Sequence, residues 1–294
     1  DVFDAACELA TKRGVRVTGS ELVGLIPLDA LTMAGRFYLK KQNSSLGVSK
    51  KEIIEVAVQS LGLNDLEKFN PTKKIIEYAI RSEGDKLVNL STSELIDEVS
   101  TNSPAPGGGS VSALLGSLGA SLCSMVASLT FQKKDYIHLR EEMSQLGVEA
   151  QSLKERLACL IDEDTNAFNS IILSNKLPSA TNEEKKIKNL SIKNAYQLAI
   201  DIPYEVASLC LKVLKLCIPL TKKGNPSSIS DVGVACESAL AGFRGASMNV
   251  MINLSGLSDK NYQTKMKQKL DKMNKEVEKS YESAKSEIDK IINS

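Results

Sequence analysis

The sequence predicts a mainly α-helical protein, with a helical bundle from about residue 91 onward and a small α/β segment ahead of it. Three observations lead there. From Ser91 on, apolar residues recur at spacings of three and four over long stretches, the pattern of amphipathic helices. A charge-free run from Ser100 to Gln132 lies among these stretches and suits the centre of a bundle. The one stretch with partial apolar–polar alternation, Val15 to Ile26, comes before them.

The chain has 294 residues, enough for two domains. Its 37 Lys and Arg nearly balance 36 Asp and Glu, so the basic footprint of a nucleic-acid-binding protein is absent. Aromatic residues make up 4% with no Trp, which also disfavours base-stacking platforms. A single histidine, His138, excludes a histidine-based zinc site. The cysteines at 7, 123, 159, 210, 217 and 236 form no C-x-x-C pair. Cys210 and Cys217 would stand about 10 Å apart on one helix face, too far for a disulfide. The set reads as reduced, buried thiols of a cytoplasmic protein. No signal peptide is visible, and the chain opens on Asp1 in mid-pattern, so it is expected to be the tail of a longer polypeptide.

Val2 to Arg13 reads as a helix with Phe3, Ala6, Leu9 and Ala10 on one face, stopped by Gly14. Val15 to Ile26, carrying Gly19 and Gly24, suits a bent strand that Pro27 ends. Asp29 caps a helix to Lys41, 43–48 is a loop, and Lys50 to Leu61 is a helix halted by Gly62. Asn70-Pro71 opens a short helix to Ile80. This α/β piece of roughly 80 residues is small for a core of its own. The polar stretch 81–90 holds the boundary, giving domains 1–84 and 91–294 with 85–90 as linker.

Ser91 or Ser93 caps a short helix to Val99. Then comes Pro104-Ala105-Pro106-Gly107-Gly108-Gly109-Ser110, followed by a helix from Val111 to Leu129. The prolines stiffen the approach, and the glycines bare the backbone. A glycine-rich turn opening a helix offers free N–H donors and a positive dipole end to a polar or anionic group. The charge-free run is long enough to be weighed as a membrane span. Its six serines between Ser110 and Ser128 and the lack of an aromatic belt favour a buried central helix instead. Gly116, Ala120 and Ser124 let another helix approach closely, in the same chain or across a subunit interface.

Asp135 to Leu173 reads as one long helix, or two with Gly147 as the weak point, and His138 falls off its apolar stripe. Asn182 to Lys215 is the next helix, interrupted or kinked at Pro203. A loop at 221–230 and a small-residue helix from Asp231 to Leu254 follow. In the charged tail, Met266, Leu270, Met273, Val277, Ala284 and Ile288 mark a heptad-like stripe. It packs on the bundle or pairs with a second chain.

The chemistry centres on Asp164. It continues the apolar stripe of Leu153, Leu157, Leu160 and Ile161 toward Phe168 and Ile171. Asp162 lies about 200° round the helix and should face water. A core-facing carboxyl is costly unless paired or used. It is either a structural salt bridge or hydrogen bond, or a proton-transfer group whose pKa burial raises. Lys133, Lys134 and Lys176 end helices, and each either binds an anionic substrate tail or is a solvated helix end. In the polar turn 223–231, Ser230 or Asp231 is a plain N-cap, or Asn225 and Asp231 read a guanidine-like edge such as a pterin offers.

Two resemblances rest on these motifs. Val17-Thr18-Gly19-Ser20-Glu21-Leu22-Val23-Gly24-Leu25-Ile26-Pro27, Ala34-Gly35-Arg36-Phe37-Tyr38-Leu39 and Phe69-Asn70-Pro71 resemble the C-terminal part of glutamate formiminotransferase. That family's catalytic histidine lies in a preceding subdomain, and His138 does not stand in for it. The resemblance therefore implies an inactive remnant of that active site. From about Ser91 to Asp259, the Pro104–Ser110 turn, Lys133-Lys134, Asp162-Glu163-Asp164 with Phe168, Lys176-Leu177-Pro178, Gly224-Asn225-Pro226, Ser230-Asp231 and Asn249-Val250-Met251-Ile252-Asn253-Leu254 resemble the formiminotetrahydrofolate cyclodeaminase domain. Together they resemble the bifunctional formiminotransferase-cyclodeaminase family.

This resemblance implies an all-α domain that forms homodimers, within larger rings in the bifunctional enzymes. It implies closure of 5-formiminotetrahydrofolate to 5,10-methenyltetrahydrofolate with loss of ammonia. Asp164 matches the active-site aspartate, with Asp231 the next catalytic candidate. Gly107, Gly108, Gly109, Ser110, Lys133, Lys134, Phe168, Lys176 and Asn225 would hold tetrahydrofolate and its polyglutamate tail. No metal, nucleic acid or membrane partner is expected. A methenyltetrahydrofolate cyclohydrolase of the same fold, or a catalytically dead helical dimerisation module, is the alternative.

Overall fold

The computed structural model describes residues 2–80 and 86–293. The chain divides into two compact units, Asp1–Gly84 and Asp85–Ser294. The sequence boundary at Gly84 and Asp85 lies outside the described residues.

The first unit holds α1 (Val2–Lys12), α2 (Leu28–Lys41), α3 (Lys50–Ser60), α4 (Pro71–Lys74) and α5 (Ile76–Ala79). Ser49 caps α3 by accepting from Glu52 N–H, and Asn70 caps α4 by accepting from Thr72 N–H. α2 and α3 cross so closely at Gly35 that a Cβ there would overlap the Ile53 carbonyl. Leu31, Ile54, Ala57, Val58, Phe69 and Ile75 form a small core. No residue of α1 is buried, so the apolar face expected there packs on nothing deep; Asp4 instead accepts from Lys41 at 2.9 Å.

The expected strand does not form. Among the described residues no strand exists, and Val15–Ile26 is extended chain with one isolated parallel bridge, Ile26 to Ile75. Ile26 N–H donates to Lys74 O and Ile76 N–H to Ile26 O. A strand needs neighbours for its backbone groups and side chains. Here Val15, Val23 and Leu25 remain 61%, 87% and 56% exposed. The α/β description of this segment is therefore corrected to α with extended connections.

The second unit is all helical: α6 (Thr92–Val99), α7 (Gly108–Gln132), α8 (Arg140–Asn175), α9 (Asn182–Lys223), α10 (Ile229–Leu254) and α11 (Lys260–Ile292). The expected linker is in part built into it, because Leu87–Asn89 forms a 3-10 turn whose Leu87 N–H donates to Asp162 on α8. Ser91 and Glu94 close a capping box on α6, and Thr181 and Glu184 close one on α9. Each is worth about 1 kcal/mol of helix stability.

α7 is the centre and packs on α8, α9 and α10. It is long and apolar enough to cross a membrane, yet Ala113, Ala120, Cys123, Val126 and Ala127 are fully buried against the neighbouring helices. The close approaches are made within the chain. A Cβ at Gly116 would press on Cys210 and Leu157, one at Gly119 would reach Ala235 O, and one at Gly242 would reach Ser112 O. α11 packs along α9 and α10 through Met266, Leu270, Met273, Val277, Ala284 and Ile288.

Of the two readings of the stretch before Leu173 the single helix holds, while several helix ends differ from expectation. α8 runs unbroken through Gly147, which is buried and so stays packed. A separate 3-10 turn, Lys134–Leu139, precedes it. α9 continues past Pro203 and Pro219 to Lys223, because the face carrying Val213, Leu214, Cys217 and Leu220 remains buried throughout. Of the cysteines, Cys123, Cys210, Cys217 and Cys236 are buried and Cys159 is exposed; all six are free.

Candidate active site

The turn ahead of α7 delivers its backbone to a cleft. Gly107 occupies the N-cap with no side-chain cap, so the first amides of α7 are left to other partners. Two side chains converge on the next two glycines. Asp164, from α8, lies on Gly109, where a Cβ would overlap its carboxylate. Asn249, from α10, lies over Gly108, where a Cβ would stand 3.3 Å from its Nδ2. Glycine is required at 109 because the acid sits directly on the helix backbone.

Ser110 fixes that acid. Its main-chain N–H donates to the Asp164 carboxylate. Its hydroxyl lies 3.3 Å from Asp164 Oδ2, 2.8 Å from Ile161 O and 3.0 Å from Thr165 Oγ1. Burial pushes the Asp164 carboxyl above the usual aspartate range, and the two Ser110 bonds pull it part-way back. Around the pair opens a cleft of about 380 Å³ lined by Pro104, Gly107–Gly109, Phe168, Tyr196, Asn249 and Asn253, among others. Next to Asp164 on α8, Glu163 is held by Arg156, which also grips Glu205 of α9. That bridge pins the two helices that carry Asp164 and Tyr196.

Asp162 does not face water as expected. It is half-buried and accepts from Leu87 N–H at 2.7 Å. Asp164 is half-buried too, so the two acids differ less in exposure than in surroundings. Asp162 is spent on a main-chain cap, whereas Asp164 opens on a cleft.

The remaining candidates do not join this site within the chain. Lys133 follows the last residue of α7 and donates to Asn225 Oδ1 at 2.9 Å. Asn225 is buried, with its N–H donating to Thr130 Oγ1 at 3.0 Å. Asp231 lies in the first turn of α10 near by in sequence. α7 spans 25 residues, so its two ends stand about 36 Å apart. Lys134, Lys176 and His138 are exposed, and no lysine is among the described residues that line the cleft. Among the described residues, the lysines considered for the substrate tail are therefore not part of the Asp164 cleft within one chain.

The cleft also contains residues to which sequence reasoning gave no role. Tyr196 forms a wall, and a Cβ at Gly256 would overlap its ring. Asn249 and Asn253 were legible only as part of a motif. Their signal was two carboxamides four residues apart on an otherwise apolar helix end.

Residues 91–272 match the formiminotransferase-cyclodeaminase family, and residues 1–81 match the formiminotransferase domain. The chain belongs to the formiminotransferase-cyclodeaminase family. Formimidoyltransferase-cyclodeaminase of Rattus norvegicus is 32% identical over 278 residues, which are 94% of this chain and 51% of that protein. The Mus musculus protein of that name is 34% identical over 260 residues. The chain thus spans about half the length of these curated relatives. Methenyltetrahydrofolate cyclohydrolase of Methylorubrum extorquens is 34% identical over 204 residues, 68% of this chain and 98% of that protein. Among solved structures, formiminotetrahydrofolate cyclodeaminase from Thermotoga maritima is 27% identical with a TM-score of 0.63, covering 70% of this chain and 100% of that one. The formiminotransferase-cyclodeaminase match takes in both ends of α7 and the whole Asp164 cleft, while the formiminotransferase match covers α1–α5.

Proposed function

We propose that the helical unit is a formiminotetrahydrofolate cyclodeaminase with Asp164 as its general acid–base. The observation that carries this is a carboxyl lifted by burial, seated on the N-terminus of α7 and opening on a cleft with an aromatic wall. N10 of 5-formiminotetrahydrofolate attacks the carbon of the protonated, amidinium form of the formimino group, forming a C–N bond and a tetrahedral carbon that carries an NH2 group. Asp164 takes the proton from N10 and gives it to the formimino nitrogen. The C–N bond to that nitrogen then breaks, ammonia leaves, and the 5,10-methenyl cation remains. One group serves both transfers, which requires a pKa nearer neutrality than that of a solvated aspartate. The α7 amides at Gly108 and Gly109 orient polar atoms of the folate, and Phe168 and Tyr196 flank its ring.

We further propose a homodimer. The exposed face of α7 carries Leu118, Met125 and Leu129, and that of α10 carries Val234, Met248 and Ile252. Large apolar side chains along two adjacent helices are a surface suited to a second copy. An antiparallel pairing about the middle of α7 would bring the Lys133–Asn225–Asp231 end of one copy toward the Asp164 cleft of the other. Lys133 and Lys134 would then meet the glutamate tail of a polyglutamylated folate. Free cysteines throughout suit a cytoplasmic protein. Residues 1–84 contain no histidine, and they are expected to carry no formiminotransferase activity by themselves.

The cyclohydrolase reading is favoured by the Methylorubrum extorquens relative, which the chain covers almost completely. The two separate in one assay. The chain is given 5-formiminotetrahydrofolate, and ammonia is measured alongside methenyl absorbance. Ammonia release in step with methenyl formation supports the deaminase. Hydrolysis of added 5,10-methenyltetrahydrofolate without ammonia release from the formimino substrate would replace it with the cyclohydrolase.

A further inference from the structure

Asn249 and Asn253 sit one turn apart on α10, and both line the Asp164 cleft. Each amide nitrogen is already committed. Asn249 Nδ2 donates to Gly245 O at 2.9 Å, and Asn253 Nδ2 donates to Ala199 O at 2.6 Å. With nitrogen anchored to a main-chain carbonyl, the orientation of each carboxamide is set, and Oδ1 occupies the opposite branch. Among the described residues neither Oδ1 has a protein donor. The cleft is therefore lined by two carboxamides, each with an oxygen that no protein donor occupies, on residues one helical turn and about 6 Å of backbone rise apart.

Such a pair fits one kind of group. The two hydrogens of an exocyclic amino group on an aromatic ring diverge by about 120°, so acceptors at hydrogen-bond distance on either side stand roughly 5 Å apart. We infer that Asn249 and Asn253 straddle the 2-amino group of the substrate's pterin and so select an aminated ring. This rests on the folate reading above and deepens it. The role first considered for Asn225 and Asp231, reading a guanidine-like edge, passes to residues that are in the cleft. Asn225 cannot fill it within the chain, because its Oδ1 accepts from Lys133 and from Ser227 N–H.

The test compares two ligands on the full chain by calorimetry, tetrahydrofolate and its 2-desamino analogue. The wild-type protein is expected to prefer tetrahydrofolate by about tenfold or more, because the analogue leaves two desolvated acceptors unpaired. Asn249→Ala should lose most of that preference and weaken tetrahydrofolate much more than the analogue. A residue that only shaped the cleft would weaken both ligands equally, and that result would overturn the inference. Asn253→Ala serves as the second variant, with circular dichroism to confirm that the α9 contact it removes leaves the bundle folded. The wild-type comparison depends on no variant folding. Equal binding of both ligands by the wild type overturns the amino-group assignment and leaves the folate reading standing. If the wild type binds neither ligand, the folate reading itself fails, and the inference falls with it.

Discussion

The two ends of α7 each gather polar groups from neighbouring elements and do different things with them. At the N-terminal end, glycines remove side chains so that Asp164 and Asn249 can lie against the backbone, and a cleft remains open. At the C-terminal end, Lys133, Asn225 and Thr130 satisfy one another, with Asn225 buried. The first end holds acceptors that open on a cavity without a protein donor; at the second, the Asn225 oxygen is taken by both Lys133 and Ser227 N–H. A free acceptor beside a cavity points to a ligand, whereas an acceptor already taken points to structure or to a surface that works only against another molecule.

The largest effect expected of this contrast is at Asp164. Asp164→Asn keeps the shape and the Ser110 bonds but removes the titrating proton. Turnover of the formimino substrate should fall by about 10²-fold or more with folding intact. Asp231→Asn, at the second end, tests the comparison from the other side. A loss equal to that at Asp164 would mean that proton transfer does not belong to Asp164 alone.

Gly109→Ala comes next. The added Cβ displaces the carboxylate or lifts the first turn of α7, so kcat should drop roughly 10- to 100-fold while the far end is unaffected. Unchanged kinetics would show that the acid need not rest on the backbone.

A smaller effect tests whether the ends meet across two copies. Lys133→Ala should raise KM for a polyglutamylated substrate several-fold. Mixing Asp164→Asn with Lys133→Ala chains under exchange conditions should then restore about a quarter of the wild-type sites, since each mixed dimer has one intact site. No recovery above the sum of the separate variants, with exchange verified, would place the two ends in unrelated roles.

The smallest effect is on stability. Burial raises the folded-state pKa of Asp164 above the ordinary value of 3.8, so the fold favours the neutral acid. The cost of ionising it is absent below that value, grows as pH rises through the folded pKa, and is complete above it. Asp164→Asn should therefore be more stable than wild type near neutrality by roughly 1 kcal/mol. The gain should vanish in thermal melts below about pH 4. The acid limb of kcat/KM should likewise lie above the ordinary aspartate range, and a limb at or below it would contradict the burial argument.

The limits of sequence reading follow the same line. Asp164 was legible because a charged residue interrupted an apolar stripe, and a stripe is a local property of one helix. The bundle helices were legible for the same reason, down to the Ser91 cap. The strand at Val15–Ile26 was misread because alternation states a preference, while a strand exists only with partners, and among the described residues Ile75 alone forms a bridge with it. Asp162 was misread because the turn that covers it, Leu87–Asn89, comes from a remote part of the sequence.

By itself, then, the sequence determined the helical character from Ser91 on, the bare backbone at Gly107–Gly109, and the one acid out of place on its helix. Periodicity, glycine content and capping act within a few residues, so they can be read in order. The tertiary structure alone decided that Asn249 and not Asn225 stands beside Asp164, and that Lys133 lies at the opposite end of α7. Those are matters of which ends of long helices coincide. A helix carries its side chains about 1.5 Å further per residue in a direction fixed only by packing against its neighbours.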